Sequence, residues 1–241
     1  MEISNSILWL LFLVFDLCMV VVVYRLFGRV GLYGYIVMAI ITANIQVVKL
    51  VNIFGLETTL GNIMYGSIFL CTDILNEIHG KKEANRAVWM GFLAMVLMTA
   101  YMQIGLRFSP SQFDEGQSGA LASVFSFLPR ITMGSMLAYL ASQLLDVTLF
   151  ANIKQRTEGR LLWLRNNAST LVSQAVDTTI FVFIGLGPLA LLGMAPLIDS
   201  WQLFGAIWAS SYIMKLIVAL ADTPFLYLAR GVSRTRAALE G

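Results

Sequence analysis

Seven times this chain runs for 19–27 residues with almost no charge: at roughly 6–26, 32–50, 60–79, 86–107, 130–152, 167–188 and 203–229. At about 1.5 Å of rise per residue, each run is long enough as a helix to cross a hydrocarbon layer of about 30 Å. Inside lipid every backbone N–H and C=O needs a partner within the protein, so runs of this length are read as helices. Composition agrees. The chain is 58% hydrophobic and 12% charged, whereas soluble domains lie near 45–50% and about 25%. The fold class is therefore all-α, a polytopic membrane helix bundle of about seven transmembrane helices.

Lysine and arginine set the expected orientation. With the N-terminus outside, the inner segments carry Arg25, Arg29, Lys81, Lys82, Arg86, Lys154, Arg156, Arg160, Arg165, Arg230, Arg234 and Arg236. The outer segments carry only Lys49, Arg107 and Arg130. That asymmetry would vanish if one span were miscounted, so it supports seven spans with the C-terminus in the cytoplasm. Met1-Glu2-Ile3-Ser4-Asn5 has no basic stretch, and no A-x-A-like site follows the first run. The first run thus reads as a retained helix rather than a signal peptide. The longest connection, 108–129, contains an acidic turn and then apolar Ala120–Phe127, which is either an interfacial helix or lid, or a loop resting on the membrane. A second turn-rich connection runs from Gly187-Pro188 to Asp199.

The chemistry is concentrated in a repeated polar word. Ser142-Gln143-x-x-Asp146-x-Thr148-x-Phe150 and Ser173-Gln174-x-x-Asp177-x-Thr179-x-Phe181 share one pattern, with Gln and Asp on one helix face. A central aspartate costs about 2.5–3.5 kcal/mol even on the lenient insertion scale, and such residues mark substrate or ion pathways by default. The spans also hold Asp16, Asp73, Glu77, Asp222 and Lys215. Counting inward along each span places Asp177 and Lys215 at similar depth near the midplane, while Asp73, Glu77, Asp146 and Asp222 lie on the cytoplasmic side. Two readings of Asp177 and Lys215 stay open: an ion pair bracing two helices, or part of a ligand site with Gln143, Ser169, Ser173, Gln174 and Tyr212. Such a site suits a small, flat, polar ligand with several donors. Asp16 is either packing glue or functional, and Asn44 and Gln46 either line a cavity or bridge helices. Trp9, Trp89, Trp163 and Trp201 sit near span ends, as interface anchors do.

Enzyme chemistry fits poorly. The sequence has no phosphate-binding G-x-x-x-x-G-K-[ST], no H-E-x-x-H and no G-x-S-x-G. An aspartyl-protease dyad would leave the paired glutamines unexplained. His79 is the single histidine, and Cys18 and Cys71 both lie in apolar runs, so neither a metal centre, a cofactor nor a disulfide framework is expected. The basic residues occupy short loops, so nucleic acid is not an expected partner. The expected partners are a small-molecule substrate and the lipid bilayer; a homo-oligomer is compatible.

Three ordered segments resemble the bacterial queuosine precursor transporter family. They are Phe69-Leu70-Cys71-Thr72-Asp73-Ile74-Leu75-Asn76-Glu77-Ile78-His79-Gly80-Lys81-Lys82-Glu83-Ala84, Gln143-x-x-Asp146-Val147-x-x-Phe150, and Asn167-Ala168-Ser169-Thr170-x-x-Ser173-Gln174-x-x-Asp177-Thr178. Tyr212-x-x-Lys215 and Asp222-Thr223-Pro224 fit it as well. Members are also called vitamin uptake transporters, and they look like relatives of the substrate-binding components of energy-coupling-factor transporters. The likeness covers roughly residues 35–230. It implies a six-helix transporter core over 31–230, preceded by an additional helix over 1–30 and followed by a cytoplasmic tail over 231–241. It also implies import of 7-cyano- or 7-aminomethyl-7-deazaguanine for queuosine salvage into tRNA. By resemblance the substrate-binding residues are Asn44, Asp73, Glu77, Gln143, Asp146, Ser173, Gln174, Asp177 and Lys215. Asp16, in the added helix, inherits no role. The alternatives are a non-transporting scaffold or receptor, and a substrate-binding component that needs an energy-coupling ATPase module.

Overall fold

The computed structural model describes residues 4–47, 49–114, 116–125, 128–186 and 200–240; the side chains of Glu57, 128–132, Leu186 and 236–240 are also outside the description. Helix α1 (Asn5–Gln46) is one element only in name, because Gly28 adopts φ 61 and ψ −144 inside it. At that position L-residues are strongly disfavoured and glycine is not. The chain reverses there: Tyr35 reaches back to the backbone carbonyl of Asp16 at 3.2 Å and to its Oδ1 at 2.5 Å. Residues nineteen apart in a straight helix would be separated by about 28 Å. The first two predicted spans are therefore antiparallel halves of a helical hairpin, and the first span is fastened to the second.

Between α1 and the next helix lies a feature the hydropathy reading missed. Strands β1 (Leu50–Ile53) and β2 (Leu56–Thr59) pair antiparallel across Phe54-Gly55, with φ of 53 and 79 at the two turn residues. Two positive φ values in a two-residue loop match the twist of the flanking strands. The hairpin tip is held to the start of α1, with Ser6 Oγ accepting from Phe54 N at 3.0 Å and Trp9 edge-on to the Phe54 ring. Trp9 is therefore buried packing rather than an interface anchor, whereas Trp89, Trp163 and Trp201 are exposed.

Helices α2 (Asn62–Ile78), α3 (Lys81–Gly105), α5 (Leu128–Arg156), α6 (Leu162–Ile180) and α7 (Trp201–Glu240) complete the crossings, and short α4 (Gln117–Phe125) lies in the long connection. Phe125 O accepts from Gln103 Nε2 at 2.8 Å, which ties α4 to α3. Among the described residues five helices are long and apolar enough to cross a membrane: α1, α3, α5, α6 with its continuation, and α7. Folding α1 in two and adding α2 gives the seven crossings of a polytopic bundle. Helix α2 is the central one: from Ile63 to Glu77 all but Tyr65 are buried, and it contacts α1, α3, α5 and α7. A helix enclosed by protein can carry Thr72, Asp73, Asn76 and Glu77 where a lipid-facing one could not.

The bundle is apolar outside and polar within. Leu8, Leu11 and Phe15 on α1, Leu93 and Leu97 on α3, and Leu220 and Leu228 on α7 face outward, while Asp73, Asp146 and Asp222 are fully buried. Without a hydrophobic drive between helices in lipid, close backbone approach matters. A Cβ on Gly66 would meet Val218 Cγ1 at 2.1 Å, and one on Gly134 would meet the Gly185 backbone at 2.7 Å. Gly185 lies in a π-helical turn, Phe181–Leu186, that prolongs α6. The turn-rich connection over 187–199 lies outside the described residues. Residues 231–240 continue α7 as helix, so the expected tail is a helical extension through residue 240.

Candidate functional site

The two copies of the repeated polar word face each other across α5 and α6, and they exchange partners. Ser142 Oγ, from the first, donates to Asp177 Oδ1 of the second at 3.0 Å. Ser173 Oγ, from the second, donates to Asp146 Oδ1 of the first at 2.9 Å. Serine and aspartate four apart share a helix face, and antiparallel packing brings each serine opposite the other helix's aspartate. The sequence reading had coupled each aspartate to the glutamine three residues before it. The structure instead turns Gln143 toward α2, where its Oε1 accepts from Thr72 Oγ1 at 3.1 Å. The cross-helix serine bond supersedes the local one because serine, next to the seam, reaches over it.

Three polar levels stack along the bundle. At the first, Lys215 Nζ binds Asp177 Oδ2 directly and lies 5.7 Å from the centre of the Tyr65 ring. Tyr212, expected beside Lys215, turns away: it stacks on Trp208 and donates to Leu171 O at 3.1 Å. Tyr65 is the aromatic lining that the sequence reading overlooked.

At the second level Asp73 from α2, Asp146 from α5 and Asp222 from α7 lie close enough to interact electrostatically with one another. Asn166 Nδ2 donates to Asp222 Oδ1 at 2.8 Å and to Thr223 Oγ1 at 3.0 Å. Among the described residues Gln143 Nε2, Gln174 Oε1 and Asp222 Oδ2 are buried without a hydrogen-bond partner, and the Asp73 carboxyl, which meets no N–H donor, lies within hydrogen-bonding reach of the Asp146 carboxyl. A buried polar group left unmatched costs about 1–3 kcal/mol, more when charged. Polar groups short of partners thus come from α2, α5, α6 and α7. Among the described residues no three His, Cys, Asp or Glu groups are placed to hold a metal ion.

The third level closes one end. Glu77 is 4% exposed in its side chain and meets Arg165 Nη2 at 2.7 Å, Lys154 Nζ at 3.3 Å and Arg230 Nε at 3.4 Å. Arg165, assigned to a loop by hydropathy, is fully buried at the start of α6, with its guanidinium 5.6 Å from the Phe150 ring centre. The same end holds Tyr24 with His79, and Arg29 with Glu83. Residues 24–33, 77–83, 154–165 and 230–234 thus gather together, as alternate crossings require.

Of the nine residues singled out, Asp73, Gln143, Asp146, Ser173, Asp177 and Lys215 come together in the first two levels, with Gln174 buried one residue beyond Ser173. Glu77 belongs to the cationic end cluster. Asn44 stands apart: its Nδ2 donates to Ile40 O at 2.7 Å and faces Met95 Sδ at 3.6 Å, between α1 and α3. Asn166, Ser142 and Thr72 join the site without having been singled out. The signal for Ser142 was already present in the repeat.

The family model described as "Putative vitamin uptake transporter" matches residues 59–229. A Bacillus subtilis (strain 168) protein named "Probable queuosine precursor transporter" is 44% identical over 227 residues, covering 94% of this chain and 95% of its own. The Escherichia coli (strain K12) "Queuosine precursor transporter" is 36% identical over 146 residues, 60% of this chain and 63% of that one. A Haemophilus influenzae protein, also named "Probable queuosine precursor transporter", is 28% identical over 75% of this chain and 71% of its own. No solved structure matches.

Proposed function

The chain belongs to the vitamin uptake transporter family, together with the queuosine precursor transporters it matches, and from that premise we propose that it imports 7-deazaguanine bases across the bacterial inner membrane for queuosine salvage. It is a multi-pass membrane protein, and its work is transport rather than catalysis.

One observation carries the choice of cargo: the unmatched atoms at the second level have the right donor and acceptor sense for a guanine-like edge. Such an edge offers N1–H and a 2-amino group as donors and a 6-oxo group as acceptor. The Asp73 carboxyl, which meets no N–H donor of the protein, can accept both N–H groups once it turns from Asp146, and Gln143 Nε2 can donate to the oxygen. Gln174 Oε1 remains for the polar substituent at position 7 or for the second amino hydrogen. Asp177, Ser142 and Lys215 are already mutually satisfied, so they bound the site above rather than compete for the base.

In this reading the N-terminus is outside and the Glu77 cluster closes the cytoplasmic end. Release of the base inward then requires α2, α5, α6 and α7 to separate around Glu77. The test is uptake of labelled 7-cyano- and 7-aminomethyl-7-deazaguanine by a queuosine-deficient strain expressing this chain alone, with queuosine in tRNA as the second readout. Accumulation and restored queuosine are expected. No uptake without an added energy-coupling ATPase module would favour a substrate-binding component; no binding of either base would leave a scaffold or receptor.

A further inference from the structure

Beyond the Glu77 cluster, a cavity of about 300 Å³ opens at the same end of the bundle, lined by Glu77, Ile78, Lys154, Gly159, Arg230, Ser233 and Arg234. Its charge is unbalanced. Lys154, Arg165 and Arg230 share the one carboxylate of Glu77, and Arg234 adds a fourth cation at the rim. Four cations against one carboxylate leave three positive charges among the described residues of this cluster.

Part of that excess is absorbed by backbone. Helices α2 and α5 both end here, and each C-terminus carries about half a negative charge. Lys154 Nζ caps the α2 terminus directly, donating to Glu77 O at 2.5 Å and approaching Asn76 O at 3.5 Å. Two termini offset about one charge, so the cluster as a whole keeps about two positive charges; Lys154, Arg230 and Arg234 line the cavity, and Arg165 is buried behind it.

We propose that this cavity binds a phosphate group, through Arg230, Arg234 and Lys154, at the cytoplasmic face. Two arginines and a lysine around one opening suit a phosphate oxygen set, because the planar guanidinium binds such oxygens in pairs, and Ser233 adds a hydroxyl. The same chemistry is offered by the headgroup of an anionic phospholipid and by free phosphate. Basic pockets between transmembrane helices on the cytoplasmic side are headgroup sites in other membrane proteins. The proposal does not depend on the cargo; only the lipid source depends on the orientation argued above.

The experiment uses the full chain in nanodiscs. Its unfolding temperature is compared in pure phosphatidylcholine, in phosphatidylcholine with phosphatidylglycerol, and in phosphatidylcholine with inorganic phosphate against chloride of equal ionic strength. Stabilisation by phosphatidylglycerol alone identifies a lipid headgroup, and stabilisation by phosphate in the neutral bilayer identifies a free anion. In either case Arg234→Gln, which leaves the three bonds to Glu77 in place, should weaken binding by on the order of tenfold or more. A Lys81→Gln/Lys82→Gln variant, which removes basic charge at the same end but outside the cavity, should keep it. The proposal is overturned if neither addition stabilises, if Arg234→Gln changes nothing, or if the Lys81/Lys82 variant loses the effect equally, since that last result means diffuse surface attraction.

Discussion

Replacing Asp73 by asparagine should move stability and substrate binding in opposite directions. In the free protein the Asp73 carboxyl meets no N–H donor; it lies within hydrogen-bonding reach of the Asp146 carboxyl and close to that of Asp222. Two like charges about 4 Å apart repel by as much as about 4 kcal/mol at an effective dielectric of about 20. Removing one of them relieves that repulsion, and the asparagine amide can still donate to the Asp146 carboxylate, so Asp73→Asn should unfold at the wild-type temperature or above it. Binding should fall. An asparagine offers one acceptor and one donor to an edge that presents two donors, so one charge-assisted bond of about 1.5–3 kcal/mol is lost. One ligand N–H is then buried unmatched, costing about 1–3 kcal/mol more. Together these weaken binding by about two to four powers of ten, at 1.4 kcal/mol for each. Thermal unfolding and equilibrium binding of 7-cyano-7-deazaguanine, on the same purified preparation, read the two quantities. A variant that binds normally, or one that loses stability as well, would refute the assignment of Asp73 to the ligand.

Glu77→Gln makes the contrast: it strands Arg165, Lys154 and Arg230, and breaking such a buried cluster should cost about 3–5 kcal/mol, read as a lower unfolding temperature. Asp177→Asn should destabilise by a similar amount by orphaning Lys215, and the double change Asp177→Asn/Lys215→Met should recover most of it in the same melt. Gly134→Ala should lower stability because its Cβ meets the Gly185 backbone at 2.7 Å, which cannot swing aside as a side chain can; Gly119→Ala, with open space around it, is the matched control. Single cysteines labelled from outside should react within 108–114 and not within 153–160, and equal reactivity from one side would break the orientation assigned here.

Hydropathy located every crossing because lipid imposes one rule on all of them, yet it drew the wrong boundary wherever protein replaced lipid as the surrounding medium. The second apolar run reads to residue 50 in the sequence, but α1 ends at Gln46 and Leu50 opens β1. The clue was Phe54-Gly55 between Ile53 and Leu56, a short-turn signal that a window of about nineteen residues averages away. Arg165 shows the same effect in reverse. A charge at the edge of an apolar run reads as loop, whereas here it is drawn inside by Glu77, itself too buried to stand without a cation. The need for that partner was legible at Glu77; its identity was not, because it depends on which helix end packs beside α2.

The candidate site was legible as a repeat and misread as two separate local units. Glutamine and aspartate three apart can meet within one helix, so the nearest explanation coupled them. What decides the matter is that α5 and α6 are antiparallel neighbours, which lets two copies of one pattern satisfy each other: Ser142 with Asp177, Ser173 with Asp146. Once the serines hold one oxygen of each aspartate, the glutamines are released to other duties, and Gln143 spends its carbonyl on Thr72 while its amide stays unmatched. The second copy meets a cation, because Lys215 takes the remaining oxygen of Asp177, whereas in the first copy the Asp146 carboxyl meets a second carboxyl, that of Asp73. The repeat is thus symmetric in sequence and asymmetric in its partners: one half is closed by a lysine from α7, the other by an aspartate from α2.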